Sequence, residues 1–152
     1  MPFKGFDYCI ICDGFRQEIG GKLTILGFYN LTPHADISIA NPATPVVLAF
    51  IAGFPPAEDA ASVQYMYSIQ IDGPENRHMV HTPIARLNVS NVARGFVGQI
   101  FSISPPYRFG LYTIRITVND NLALNANFRL RQASTDELAR MGFMSPTSGR
   151  PN

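Results

Sequence analysis

The sequence contains no tryptophan, two cysteines and three histidines, and charged residues fill 15% of its 152 positions. Each scarcity narrows what the chain can be. Charge well under the usual quarter, beside an apolar fraction of 46%, excludes intrinsic disorder and leaves part of the surface neutral and apolar. A net charge of +1 without any block of like charge provides no field to concentrate a polyanion. Nucleic acid and membrane surfaces are therefore set aside as partners, and a protein partner or a homo-oligomer is expected. No apolar run approaches the ~18 residues that span a bilayer. The start, MPFKGFDYCIICDG, has no basic region followed by a separate apolar segment and a small-residue cleavage site, so a cytoplasmic location is expected.

Catalytic and metal-binding patterns are equally sparse. Gly-x-Ser-x-Gly is missing, and His34, His78 and His81 all fall in proline-flanked or polar segments read as loops. Gly95-Phe96-Val97-Gly98 lacks the strand-glycine-helix context and the Lys-Ser/Thr pair of a phosphate-binding loop. Cys9-x-x-Cys12 with His78-x-x-His81 would supply four zinc ligands on paper, but residues three apart on a β-strand point to opposite faces. The same geometry makes a mutual disulfide awkward, so reduced, packed thiols are expected. No metal, no cofactor and no enzyme activity follow from these residues. The sequons at Asn30 and Asn88 matter only in a secretory pathway.

What the chain does have is β pattern. Phe6 to Asn30, FDYCIICDGFRQEIGGKLTILGFYN, places two apolar runs around a polar stretch, with Gly20-Gly21 as the turn. The first strand is expected over Phe6 to Asp13. The returning strand, Leu23 to Tyr29, is apolar on both faces, which is the pattern of a central strand covered on both sides. A short edge strand is expected near Ile37-Ser38-Ile39, and strands over Val46 to Ile51 and Val63 to Asp72, the latter ended by Asp72-Gly73-Pro74. Ile84 to Val89 and Phe96 to Ser104 alternate more weakly. Gly110 opens a strand with Tyr112, Ile114, Ile116 and Val118 facing in. After Asn119-Asp120-Asn121 it returns with Leu122, Leu124, Ala126, Phe128 and Leu130 inward. Ser134-x-x-Glu137 is a capping box that starts a short helical turn.

These elements predict an all-β chain: an antiparallel β-sandwich over residues 1–133, immunoglobulin-like rather than jelly roll, then a helical turn and flexible tail over 134–152. Tyr112 at the start of the penultimate strand fits a tyrosine corner, whose hydroxyl closes the preceding turn.

Asp13, Arg16, Glu18 and Lys22 put four charges of mixed sign within ten residues of a chain otherwise poor in charge. They either brace the loop, with Asp13 pairing Arg16, or contact a ligand or partner. Phe54 beside Pro55-Pro56, and Tyr107 and Phe109 beside Pro105-Pro106, are aromatic anchors for a partner if exposed and end caps of the core if not.

The run Cys12-Asp13-Gly14-Phe15-Arg16-Gln17-Glu18, with Gly21-Lys22-Leu23 and Gly27-Phe28-Tyr29, resembles the opening signature of a family of small uncharacterised bacterial proteins, approximately C-D-x-x-R-x-E-x-x-G-K-x-x-x-x-G-x-Y. The resemblance covers about 25 residues and implies a bacterial or phage-derived β-sandwich without known catalysis; it assigns no role to the charged residues. The expected function is a non-enzymatic interaction or assembly module, in a cell or as part of a phage-like particle. The alternative is a small-molecule- or metal-binding protein using the Asp13/Arg16/Glu18 loop or His78/His81.

Overall fold

Alternation of apolar and polar residues, interrupted by proline and glycine turns, resolves into ten strands and one short α-helix among the described residues. The computed structural model describes residues 2–19, 22–29, 35–58, 61–140 and 142. Strands β1 (Tyr8–Gln17) and β2 (Leu23–Tyr29) form an antiparallel hairpin with Ile11 opposite Tyr29 and Gln17 opposite Leu23. β4 (Val46–Phe54) pairs with the other edge of β1, and β8 (Gly95–Ile103) with β4, giving a four-stranded sheet of order β2-β1-β4-β8.

The second sheet runs β3 (Ala35–Ile39), β10 (Asn121–Gln132), β9 (Gly110–Val118), β5 (Val63–Asp72). Two short strands, β6 (His78–His81) and β7 (Ala85–Val89), share the free edge of β5. They behave as one edge strand broken at Pro83, whose ring has no N–H to give the ladder. Thr82 spans the break: its amide donates to the Ile69 carbonyl and its hydroxyl accepts from the Ile69 amide, both at 2.9 Å. The expected all-antiparallel arrangement needs one correction, because β3 runs parallel to β10. A chain entering from the other sheet is free to take either direction along an unpaired edge.

One buried cluster joins the sheets. Ile11, Leu48, Phe50, Ala52 and Phe54 of the first meet Tyr65, Ile69, Tyr112, Ile114, Phe128 and Leu130 of the second. Each such side chain contributes roughly 1.5–3 kcal/mol when fully buried. Tyr112 and Phe128 stack with centroids 5.0 Å apart. At one end the N-terminal segment lays Phe3 edge-on against Phe54 and Tyr65, and Phe6 against Phe54. β4 is buried on both faces: Ala49 and Ile51 point away from the main cluster and, with Cys12 of β1, are covered by Ile10, Phe15, Leu23 and Phe96.

That distribution corrects the reading of β2 as a central strand. It is an edge strand, and Leu26 and Phe28 stay exposed because none of the described elements covers that side. Gly27 within it has φ of +63°, and a Cβ there would collide with the Asp13 carboxylate, so glycine is required. The β9–β10 hairpin forms as expected on a tight turn with Asn119 and Asp120 at φ +47° and +64°. A bulge between Leu122 and Leu124 turns Leu122 outward, against the inward expectation.

The capping box closes helix α1 (Thr135–Arg140): the Ser134 hydroxyl accepts from the Glu137 amide at 3.2 Å, and Glu137 accepts from the Ser134 amide at 2.7 Å. Glu137 also receives Arg131 and Ser38, fastening the helix to β10 and β3. No helix among the described residues is long and apolar enough to cross a membrane. The turn expected at Gly20-Gly21, and the part of the 134–152 segment beyond residue 142 where the flexible tail is expected, lie outside the described residues.

Candidate ligand-binding groove

The turn from β5 to β6 does more than end a strand. Asp72-Gly73-Pro74-Glu75-Asn76-Arg77-His78 closes through the Gly73 amide donating to the Arg77 carbonyl at 2.7 Å, around one 3-10 turn at Pro74–Asn76. Glu75 and Asn76 take positive φ, +62° and +57°, which reverses the chain tightly enough to set His78 opposite Asp72. Asp72 is 2% exposed, yet its carboxylate is fully engaged. It accepts from His78 Nδ1 at 2.5 Å, Arg115 Nη1 at 2.5 Å, and Gln70 Nε2 at 3.1 and 3.0 Å. Burial pushes its carboxyl up, but the hydrogen bonds from Gln70 and His78 and the charges of His78 and Arg115 outweigh burial and hold it below the usual carboxylate range. The His78 ring is thus fixed through Nδ1, and Nε2 is left as its free nitrogen.

The opposite wall is the segment between β8 and β9, with a cis bond between Pro105 and Pro106. Here the Tyr112 hydroxyl donates to the Arg108 carbonyl at 2.7 Å, so the tyrosine pins the turn four residues before it. Burial raises the Tyr112 phenol, and the nearby positive charges of Arg108 and Arg77 lower it in part. Arg108 pairs with Glu75 at 3.1 Å across the mouth, and no ion pair is formed by Arg77 with a described residue.

Between the walls is a groove of about 560 Å³ bordered by Arg77, His78, Arg108 and Tyr107, with Met79 and Tyr112 beneath. The Tyr107 hydroxyl is shielded from solvent and has no hydrogen-bond partner among the described residues. Arg77, Arg108 and Arg115 outnumber Asp72 and Glu75 by one positive charge, before His78 is counted. The arrangement offers donors and positive charge to an anion. It does not assemble a metal centre: among the described residues no group of three or more His, Cys, Asp or Glu comes together.

The residues singled out in the sequence are placed elsewhere. Asp13 and Arg16 lie within β1, not in a loop, and do not pair. Strand pairing instead sets Arg16 opposite Thr24, and both reach Glu18: Arg16 Nη2 donates to its carboxylate at 2.7 Å and the Thr24 hydroxyl at 2.8 Å. These two bonds hold the Glu18 carboxyl below its ordinary range. Asp13 accepts from the Tyr29 hydroxyl at 2.7 Å. Lys22 is exposed just before β2. Their geometry is that of hairpin bracing. Phe54 is buried within the main cluster, so it is not an exposed anchor. Tyr107 and Phe109 do sit at a loop, with ring centroids 6.3 Å apart, and Tyr107 enters the groove.

His78 and His81 belong to strand β6 rather than a loop. Cys9 and Cys12 lie in the other sheet, on opposite faces of β1 as expected, Cys9 against the main cluster and Cys12 in the smaller one. Asp72, Arg77, Arg108 and Arg115 were missed; the signal for the first two was the turn sequence after an alternating strand, read only as a strand end.

No protein-family model matches the sequence, and no curated protein matches it. Among solved structures, the chain is similar to the alkylpurine DNA glycosylase AlkC of Pseudomonas fluorescens bound to DNA containing an abasic site analog. The identity is 14% and the TM-score 0.42, over 63% of this chain and 27% of that one. The chain thus spans about a quarter of the glycosylase's length. A likeness this slight transfers neither the activity nor the DNA. Composition named a protein partner or homo-oligomer and set nucleic acid aside; that expectation is withdrawn, because no comparison supports a protein partner.

Proposed function

We propose that this protein is an immunoglobulin-like β-sandwich that binds a small anionic molecule in the groove between the β5–β6 turn and the β8–β9 segment. It is a binding protein rather than an enzyme. The sandwich reading is supported by two sheets sharing one core and by the Tyr112 hydroxyl bonded to the Arg108 carbonyl, the corner expected of that architecture. The observation that carries the function is the convergence of Arg77, Arg108 and His78 on one concavity, with His78 held by the buried Asp72. Guanidinium groups suit carboxylate and phosphate oxygens because their planar forks donate in pairs. The volume of about 560 Å³ lies inside the range of roughly 300–1,000 Å³ typical of small-molecule sites.

The test is a titration of labelled protein with inorganic phosphate, followed by backbone amide chemical shifts. Saturable shifts confined to residues 73–79 and 104–109, and absent when Arg77→Ala and Arg108→Ala are combined, are the expected result. Shifts of the same size in the double variant, or none in the wild type, would remove the proposal.

A further inference from the structure

We infer that the ion pair between Glu75 and Arg108 is a latch: the Glu75 carboxylate holds Arg108 until an incoming oxyanion takes its place. This rests on the anion-binding reading above and adds the regulation of that site.

The pair joins the two walls of the groove. Glu75 belongs to the β5–β6 turn and Arg108, 33 residues further along the chain, to the segment between β8 and β9, and Arg108 Nη1 donates to Glu75 Oε2 at 3.1 Å. Arg108 borders the groove; Glu75 does not, although Pro74 and Arg77 near it in the turn do. Nη1 is thus committed to a carboxylate at the rim. The paired donation by which a guanidinium suits a carboxylate or phosphate needs that donor back, so Glu75 and the ligand compete for one cation.

Both ends of the latch are anchored at the backbone. Glu75 has φ of +62°, in the left-handed region that a residue with a side chain rarely takes, within a turn closed by the Gly73 amide on the Arg77 carbonyl. On the other wall the Tyr112 hydroxyl holds the Arg108 carbonyl. The side chains themselves are loose: that of Glu75 is 82% exposed and that of Arg108 50%. Release is therefore a side-chain movement between walls that stay in place. An ion pair this exposed contributes little, so displacing it lowers the affinity of an incoming anion by no more than about fivefold.

The experiment measures the affinity of inorganic phosphate from amide shift titrations at constant pH and ionic strength, for the wild type, Glu75→Gln, Arg108→Ala and the double variant, with Glu75→Asp as a fifth protein. Glu75→Gln should tighten phosphate binding about threefold to fivefold. In the Arg108→Ala background, where Arg77 remains to hold the anion, the same change should alter the affinity by less than about 1.5-fold. Glu75→Asp keeps the charge but shortens the reach by one methylene, and it should bind phosphate as tightly as Glu75→Gln. A gain from Glu75→Gln that is equal in both backgrounds, or wild-type affinity in Glu75→Asp, would show that Glu75 acts only as a nearby negative charge. No gain from Glu75→Gln in the wild-type background would show that it restrains nothing. Each of these overturns the latch and leaves anion binding standing, whereas binding of phosphate to none of the five proteins overturns both readings.

Discussion

Asp72→Asn tests the base of the groove most directly. Asp72 is the buried charged residue of the described structure, and asparagine keeps its size while removing the charge that three donors face. A hydrogen bond to a charged group contributes roughly 1.5–3 kcal/mol, and breaking a fully buried pair costs about 3–5 kcal/mol. The His78 and Arg115 side chains are 74% and 37% exposed, so water screens their cationic ends and the upper figure does not apply. A loss of about 2–3 kcal/mol follows, read as a lower urea midpoint with an unchanged slope. In the double variant Asp72→Asn/Arg115→Met the costs should be less than additive, because the second change removes a guanidinium already left unmatched.

The same carboxylate sets a pH signature. Its folded-state pKa is depressed, so the stability it contributes is complete above the unfolded carboxyl value of about 3.9 and is lost as pH falls from there through the folded-state value. The gap between wild type and Asp72→Asn should narrow below about pH 4. Equal midpoints at pH 7, or a gap that widens in acid, would refute this account of Asp72.

Tyr112→Phe should lower stability by about 1 kcal/mol or more, since the Arg108 carbonyl loses a 2.7 Å bond at a half-buried corner; an unchanged denaturation midpoint would remove the corner. The two thiols should resist alkylation in the native protein. Burial, with a contribution from Cys12, pushes Cys9 up to about 12, and burial also raises Cys12, which is fully shielded. Iodoacetamide at pH 8 should label both only after denaturant is added, and rapid native labelling would contradict their packing.

Where local rules and tertiary context agreed, the sequence was readable. The β9–β10 hairpin needed only strict alternation and a turn that tolerates positive φ at Asn119 and Asp120. The capping box at Ser134 and Glu137 is a four-residue device whose two bonds are satisfied locally. β1 was misread because Asp13, Arg16 and Glu18 look like loop residues; their charges are tolerated in and just after a strand because cross-strand partners, Tyr29 and Thr24, satisfy them. Leu26 and Phe28 misled in the opposite sense, since apolar residues on both faces do not say whether anything covers the second face.

The groove was hidden for a different reason: its chemistry is gathered from separate stretches of the chain. Arg115 reaches Asp72 from β9, 43 residues along the chain, and Arg108 comes from the segment that precedes the same strand. Only the Asp72–His78 pair is local, and it depends on reading Gly73 to Arg77 as a reversal that brings a four-residue strand back onto β5. His78 to His81 is too short for periodicity to mark, and Pro83 breaks the edge soon after. Yet a buried acid at the end of a clean alternation, followed by a Gly-Pro turn and a histidine, is itself a pattern with a physical reason: the carboxylate is affordable there only if the returning strand brings it a donor. The candidate site was therefore written at the point where the alternation stopped, in the residue that had no apolar excuse to be inside.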